Sequence, residues 1–144
     1  MQLLLMRHGE ASYTLGATDK ERPLTDRGRA ESARAGAWIR AQGLTPELIL
    51  CSSARRTQET LAALGLDAPR VIEDALYLAS ADELLAHGQH HARDHQRVLV
   101  IAHNPGLSAL ASELGSERIG MGTADLVVFD LSDGAATRLA AFHG

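Results

Sequence analysis

The 144 residues, 45% of them hydrophobic, exclude a disordered chain and fit one globular domain, expected to span 1–144. A net charge of −4 makes a poor general nucleic-acid binder, because backbone binding relies on clustered Lys and Arg. Cys51 is the only cysteine, which excludes an internal disulfide and a zinc site built on several thiolates.

Leu3–Met6 reads as a buried first strand. The run ends in Arg7 and is too short for a signal-peptide core or a membrane span, so the cytoplasm is the expected location and no membrane is expected as a partner. Gly9–Pro23 is a loop without periodicity. Thr25 caps a helix on which Ala30, Ala33, Ala37 and Ala41 form a small-residue face, and Gly43 stops it. Leu48–Cys51 is a second strand, with Cys51 as a packed thiol. A helix over Arg55–Leu64 follows, with Leu61 and Leu64 inward and Gly65 at its end.

Arg70–Ile72 is a short third strand, and Ser80 with Glu83 makes a capping-box pattern ahead of a helix carrying Leu84 and Leu85. Arg97–Ala102 is a continuous apolar run, typical of a strand buried on both faces. Asn104-Pro105 supplies a cap and a first-turn proline for a helix with Leu107, Leu110, Ala111 and Leu114 on one face. Strands near Asp125–Leu131 and Thr137–Phe142 flank a hairpin signal at Asp133-Gly134. The alternation of strands and helices predicts an α/β fold, a three-layer α/β/α sandwich on a mostly parallel mixed sheet.

Three chemically loaded segments share one position, the C-terminal end of a strand. They are Arg7-His8-Gly9, Ser52-Ser53-Ala54-Arg55-Arg56 and His103-Asn104-Pro105-Gly106. Ligands bind outside the carboxyl ends of strands in open α/β sheets, and helix N-termini there favour an anion. Arginine clamps phosphate in a bidentate, permanently charged way, and neutral imidazole is a competent nucleophile. The chain carries no P-loop, HExxH or acidic metal loop, so the expected route is metal-free and uses no cofactor. His87, His91 and His95 fall on one helix face with His90 beside them. No carboxylate pattern completes a metal site there, and a polar, partly exposed face is expected.

These segments resemble those of the histidine phosphatase superfamily, which also holds the cofactor-dependent phosphoglycerate mutases. Arg7-His8-Gly9-Glu10 is similar to its signature, and Ser52 to Thr60 to its second motif. Val100-Ile101-Ala102-His103-Asn104 is similar to its third, and Arg22-Pro23-Leu24-Thr25-Asp26-Arg27-Gly28 to a further run. Small size and the His103-Asn104-Pro105-Gly106 ending resemble the short SixA-type phosphohistidine phosphatases. The resemblance implies that His8 becomes a phosphohistidine intermediate while Arg7, Arg56 and His103 bind the phosphoryl group. It places Arg55 on a variable position facing solvent or a surface ion pair. Thr57 stands where the family has Ala, a change expected to affect packing alone.

Arg22 is a candidate for reaching the substrate or anchoring its loop. Glu10 is a candidate for touching the substrate or orienting Arg7, with a plain surface carboxylate as the alternative. Asn104 reads as a helix cap before it reads as a ligand. For the proton donor, the short region after the third strand offers Glu73, Asp74 and Tyr77, none in a clear motif. An alkoxide leaving group needs a tuned acid, whereas a phosphorylated imidazole leaves once its ring is protonated. The expected partner is therefore a phosphorylated protein carrying phosphohistidine. The alternatives are small phosphomonoesters or a non-catalytic phosphate-binding module.

Overall fold

Each apolar run expected as a strand forms one, and all of them pair in one sheet. The computed structural model describes residues 1–132 and 134–144. Its strands are β1 (Gln2–Arg7), β2 (Leu48–Ser52), β3 (Arg70–Glu73), β4 (Arg97–Ala102), β5 (Leu126–Ser132) and β6 (Ala135–Phe142). Its helices are α1 (Asp26–Ala41), α2 (Arg55–Leu64), α3 (Ala81–Ala92) and α4 (Gly106–Gly115). The strand order is β3-β2-β4-β1-β5-β6. The first four strands run parallel, while β5 and β6 add antiparallel pairs at one edge.

Successive residues of a strand point to opposite faces, and this alternation builds two cores. Leu3 and Leu5 pack on one face with Leu84 of α3 and Leu107 and Leu110 of α4. Leu4 and Met6 pack on the other with Ala35 and Ile39 of α1 and Leu61 and Leu64 of α2. The result is three layers, with β4 buried along its apolar run. Cys51 is buried in the second core, and burial pushes its thiol up to about 12, so it packs as an inert apolar group.

Register then sets the site. β4 lies between β1 and β2, Arg7 pairs with Ala102, and Cys51 pairs with Ile101. His8, Ser53 and His103 therefore leave three adjacent strands at the same edge of the sheet. Among the described residues, no helix is long and apolar enough to cross a membrane.

Several local expectations need correction. Ala30, Ala33, Ala37 and Ala41 are exposed, and the packed face of α1 is Gly28, Ser32, Ala35, Gly36 and Ile39. Alanine buries too little area to choose a face, so the contact with α2 decides. A β-carbon on Gly36 would lie 1.9 Å from the Leu64 carbonyl oxygen, so only glycine lets the two helices approach this closely. Pro105 precedes α4 and is not in its first turn. β6 starts at Ala135, ahead of the expected Thr137; Asp133 of the hairpin signal lies outside the described residues. The loop after β1 is also more ordered than its lack of periodicity implies. It contains a 3-10 turn at Asp19–Glu21, and Ala11 bridges Leu24.

Gly36→Ala should lower stability by about 1–3 kcal/mol, even though alanine is the better helix former. The check is the urea unfolding midpoint. An unchanged or higher midpoint would contradict the close α1–α2 contact.

Candidate active site

The backbone first fixes where His8 can be. Its carbonyl accepts from the Ala124 amide at 2.9 Å, and the next amide, that of Gly9, donates to Thr60 Oγ1 at 3.0 Å. Thr60 Oγ1 in turn donates to the Arg56 carbonyl at 2.7 Å, which ties the β1 exit to α2. The loop also runs tightly against the start of α1. A β-carbon on Gly9 would meet the Gly28 carbonyl at 2.5 Å, and one on Gly28 would meet Glu10 O at 2.2 Å. The glycine of Arg7-His8-Gly9 is therefore demanded by packing.

The imidazoles and the arginine follow. His8 and His103 are 7% and 2% exposed, with ring centroids 5.4 Å apart. His8 Nδ1 donates to the Gly9 carbonyl at 2.8 Å, which leaves Nε2 unprotonated as the ring's acceptor. Arg56 Nε donates to that Nε2 at 3.3 Å, and Arg56 Nη2 donates to His103 Nδ1 at 3.3 Å. His103 Nε2 donates to Ser52 Oγ at 2.7 Å. The guanidinium of Arg56, 3% exposed, thus fills the space between the two rings. Arg7 Nη1 donates to the Met121 carbonyl at 3.2 Å, while its buried Nε has no hydrogen-bond partner among the described residues.

Burial, with the cations around them, keeps both imidazoles neutral. Burial pushes His8 down to about 4, aided by the charges of Arg56, Arg7 and Arg22 and opposed by the hydrogen bond to Gly9. Burial and the Arg56 charge push His103 down to about 3.

The structure brings Arg7, His8, Arg56 and His103 together and gives the remaining candidates different places. Arg55 is exposed in an ion pair with Glu59 at 3.0 Å. Arg22 lies at the mouth, where it donates to Ser12 O and Asp19 Oδ1 at 3.1 Å each and stacks over Tyr13. Glu10 turns to the start of α1 and accepts from Thr25 Oγ1 at 2.8 Å. Asn104 receives the Ser108 amide at 3.1 Å and donates to the Met121 carbonyl at 2.8 Å. Tyr77 sets its ring edge-on to His103 at 5.5 Å, with its hydroxyl donating to Asp19 Oδ2. Glu73 faces α3, between His87 at 3.1 Å and His91 at 3.2 Å, and Asp74 pairs with Lys20 at 3.1 Å. A carboxylate does therefore reach the histidine face of α3. Even so, no group of three or more ligating side chains among the described residues is arranged to hold a metal. Thr57 does more than pack: its hydroxyl lies 2.7 Å from the carbonyls of both Ser52 and Ala54.

Two carboxylates at this site escaped the sequence reading. Glu31, 2% exposed on α1, accepts from the Glu10 amide at 3.4 Å and from Thr123 Oγ1, bracing the chain on either side of His8. Asp19 comes from the loop after β1 and accepts from Arg56 Nη2 at 3.1 Å, while its own carbonyl takes Arg56 Nη1 at 2.6 Å. The Tyr77 hydroxyl, with help from Arg22 and Arg56, holds the Asp19 carboxyl down to about 2. The only signal for either is an acid near the Arg22–Gly28 run, which does not give a direction.

This arrangement has relatives. Residues 3–77 match the model of the histidine phosphatase superfamily (branch 1). The chain belongs to the histidine phosphatase superfamily. It is 38% identical over 111 residues to an uncharacterised protein of Mycobacterium tuberculosis, covering 77% of this chain and 70% of that one. It is 36% identical over 85 residues to the phosphohistidine phosphatase SixA of Escherichia coli, covering 59% of this chain and 47% of SixA. Among solved structures, the protein histidine phosphatase SixA complexed with tungstate superposes with a TM-score of 0.89 at 28% identity, over 99% of this chain and 97% of that one. The fold is that of the SixA and phosphoglycerate mutase-like histidine phosphatases, and membership of the superfamily supports a phosphatase. The substrates of its members differ, as the names of matching relatives show: an acid phosphatase and a phosphoglycerate mutase.

In a histidine phosphatase built this way, both imidazoles should be neutral at physiological pH. Ring-nitrogen NMR should give His8 a midpoint of about 4 and His103 one of about 3. Titration of either ring near the ordinary value of about 6.5 would contradict the electrostatics described.

Proposed function

We propose that the protein is a phosphohistidine phosphatase that works through a covalent intermediate on His8. The observation that carries this reading is the His8 ring. Nδ1–H is committed to Gly9, Nε2 keeps its lone pair, and an arginine stands on that nitrogen. In the first step His8 Nε2 attacks phosphorus, and the bond to the leaving atom breaks with its electron pair. Arg56, Arg7 and His103 surround the phosphoryl oxygens as charge shifts in the transition state. In the second step water attacks the same phosphorus, the P–Nε2 bond breaks, and the pair returns to His8 as inorganic phosphate leaves.

The choice of substrate class rests on acids at the mouth. Glu73 and Asp74 are engaged with His87, His91 and Lys20. Asp19 is held ionised, and the Tyr77 proton is committed to it. Alcohol phosphates need a proton delivered to the leaving oxygen. A phosphoimidazole carries its own proton on the ring, which suits a site whose nearby acids are engaged in this way. The partner supported by this reading is a protein bearing phosphohistidine.

His8→Ala should cut turnover by roughly 10³-fold or more and abolish acid-labile phosphate labelling of the protein. A panel run with chelator present should rank a phosphohistidine peptide above sugar phosphates in kcat/KM. Sugar phosphates ranking first would make the protein a phosphatase of small phosphomonoesters. A His8→Ala variant with near-normal turnover would remove the covalent route.

A further inference from the structure

Asp19 is an ionised carboxylate in a site whose purpose is to hold an anion, and that placement calls for a reason. The Arg56 guanidinium gives its direction. Its Nε end meets His8 Nε2, whereas its Nη1 and Nη2 ends meet Asp19. In-line displacement places the leaving group on the side of phosphorus away from the attacking nitrogen. A phosphoryl group seated against Arg56 with His8 behind it therefore turns its leaving group toward the Asp19 end.

The carboxylate is also fixed and reachable. Oδ1 accepts from Arg22, and Oδ2 accepts from Arg56 and from the Tyr77 hydroxyl. Tyr77 is in turn set edge-on against His103. The side chain remains 48% exposed, and a carboxylate has about four lone-pair sites, so at least one further hydrogen can be accepted. An acceptor held in place by three donors costs no reorganisation when the substrate arrives.

We infer that Asp19 is the residue that selects a protonated imidazole as leaving group, by accepting the N–H of the substrate ring nitrogen that does not carry phosphorus. This rests on the phosphohistidine reading above and assigns the leaving-group half of the site. The step balances without an added acid. The substrate enters as a phosphoimidazolium, His8 Nε2 forms its bond to phosphorus, and the substrate P–N bond breaks with its pair staying on that nitrogen. The ring departs as neutral imidazole, still protonated on the nitrogen that faces Asp19. His8 then holds the same phosphoimidazolium form, its Nδ1–H on Gly9 O. One such bond is exchanged for another like it. An alcohol phosphate offers Asp19 no N–H, and a carboxylate ionised at neutral pH gives the departing alkoxide no proton.

The test compares Asp19→Asn with the parent protein on a phosphohistidine peptide and on nitrophenyl phosphate, whose leaving group needs neither proton nor acceptor. An opposite charge beside a titrating ring favours its charged form by about 1–3 pKa units. Asp19→Asn should therefore lower the ratio of kcat/KM for peptide over nitrophenyl phosphate about tenfold or more. It should also move the alkaline limb of the kcat profile for the peptide to lower pH by about one unit or more, because the bound ring loses its proton sooner. Asp19→Glu, which keeps the charge, should hold that limb close to the parent's position, and Asp19→Ser, which removes the charge, carries the test with the same expectation if Asp19→Asn does not fold. If the parent cleaves the peptide but neither the ratio nor the limb changes in Asp19→Asn, Asp19 only steadies Arg56 and the inference falls alone. If the parent does not prefer the peptide at all, the phosphohistidine reading falls and the inference goes with it.

Discussion

The guanidinium of Arg56 is buried against two imidazoles that are themselves neutral, and its one carboxylate partner among the described residues, Asp19, lies at the mouth. A buried cation is costly unless it is paired and hydrogen-bonded. Here the guanidinium donates to His8 Nε2, His103 Nδ1, the Asp19 carbonyl and Asp19 Oδ2, while Thr60 Oγ1 donates to the Arg56 backbone carbonyl. The same charge lowers the basicity of both histidines. This contact therefore adds to the burial that keeps His8 unprotonated, helps fix the direction of its ring and, on the proposed route, presents positive charge where phosphoryl oxygens would lie.

The scaffold serves that contact. β4 is the strand between β1 and β2, so His103 emerges between His8 and the start of α2. Each neighbour is then locked by a short-range device. Gly9 and Gly28 allow the β1 exit to press on α1, Thr60 spans from Gly9 to Arg56, and Ser52 orients His103. The Met121 carbonyl is shared by Arg7 and Asn104, which connects the β1 and β4 exits. Asp19, Arg22 and Tyr77 close a second ring of polar contacts at the mouth, joining the loop after β1 to the turn after β3. On the proposed function, the inner ring would hold the phosphoryl group, which is common to many substrates, and the outer ring would meet whatever that group is attached to.

What the sequence made legible divides along the same line. Strands buried on both faces announce themselves as apolar runs, and the residues just beyond them inherit their position, which is why His8, Arg56 and His103 could be placed. The choice of Arg56 over Arg55 was legible only through the resemblance to the family's second motif; in the structure Arg55 turns outward to Glu59, while Arg56, about 100° round the helix, turns onto His8. The α1 alanines misled because small residues leave the buried face to be decided by the contact at Gly36. Asp19 and Glu31 were illegible for another reason. A loop carboxylate and a helix glutamate read as surface groups, and only the fold of the loop over the strand ends turns one onto Arg56 and buries the other beside His8.

In the proposed route the forked, buried guanidinium of Arg56 makes His8 a phosphoryl acceptor, and Arg56→Lys tests this most directly. Lysine keeps the positive charge but cannot reach His8, His103 and Asp19 together. Rapid-quench measurement of phosphate appearing on His8 should show the transfer slowed by about 10²-fold or more in a variant whose thermal unfolding shows it still folded. Transfer within about threefold of the parent rate would show that charge alone suffices, and the account built on Arg56 would be wrong.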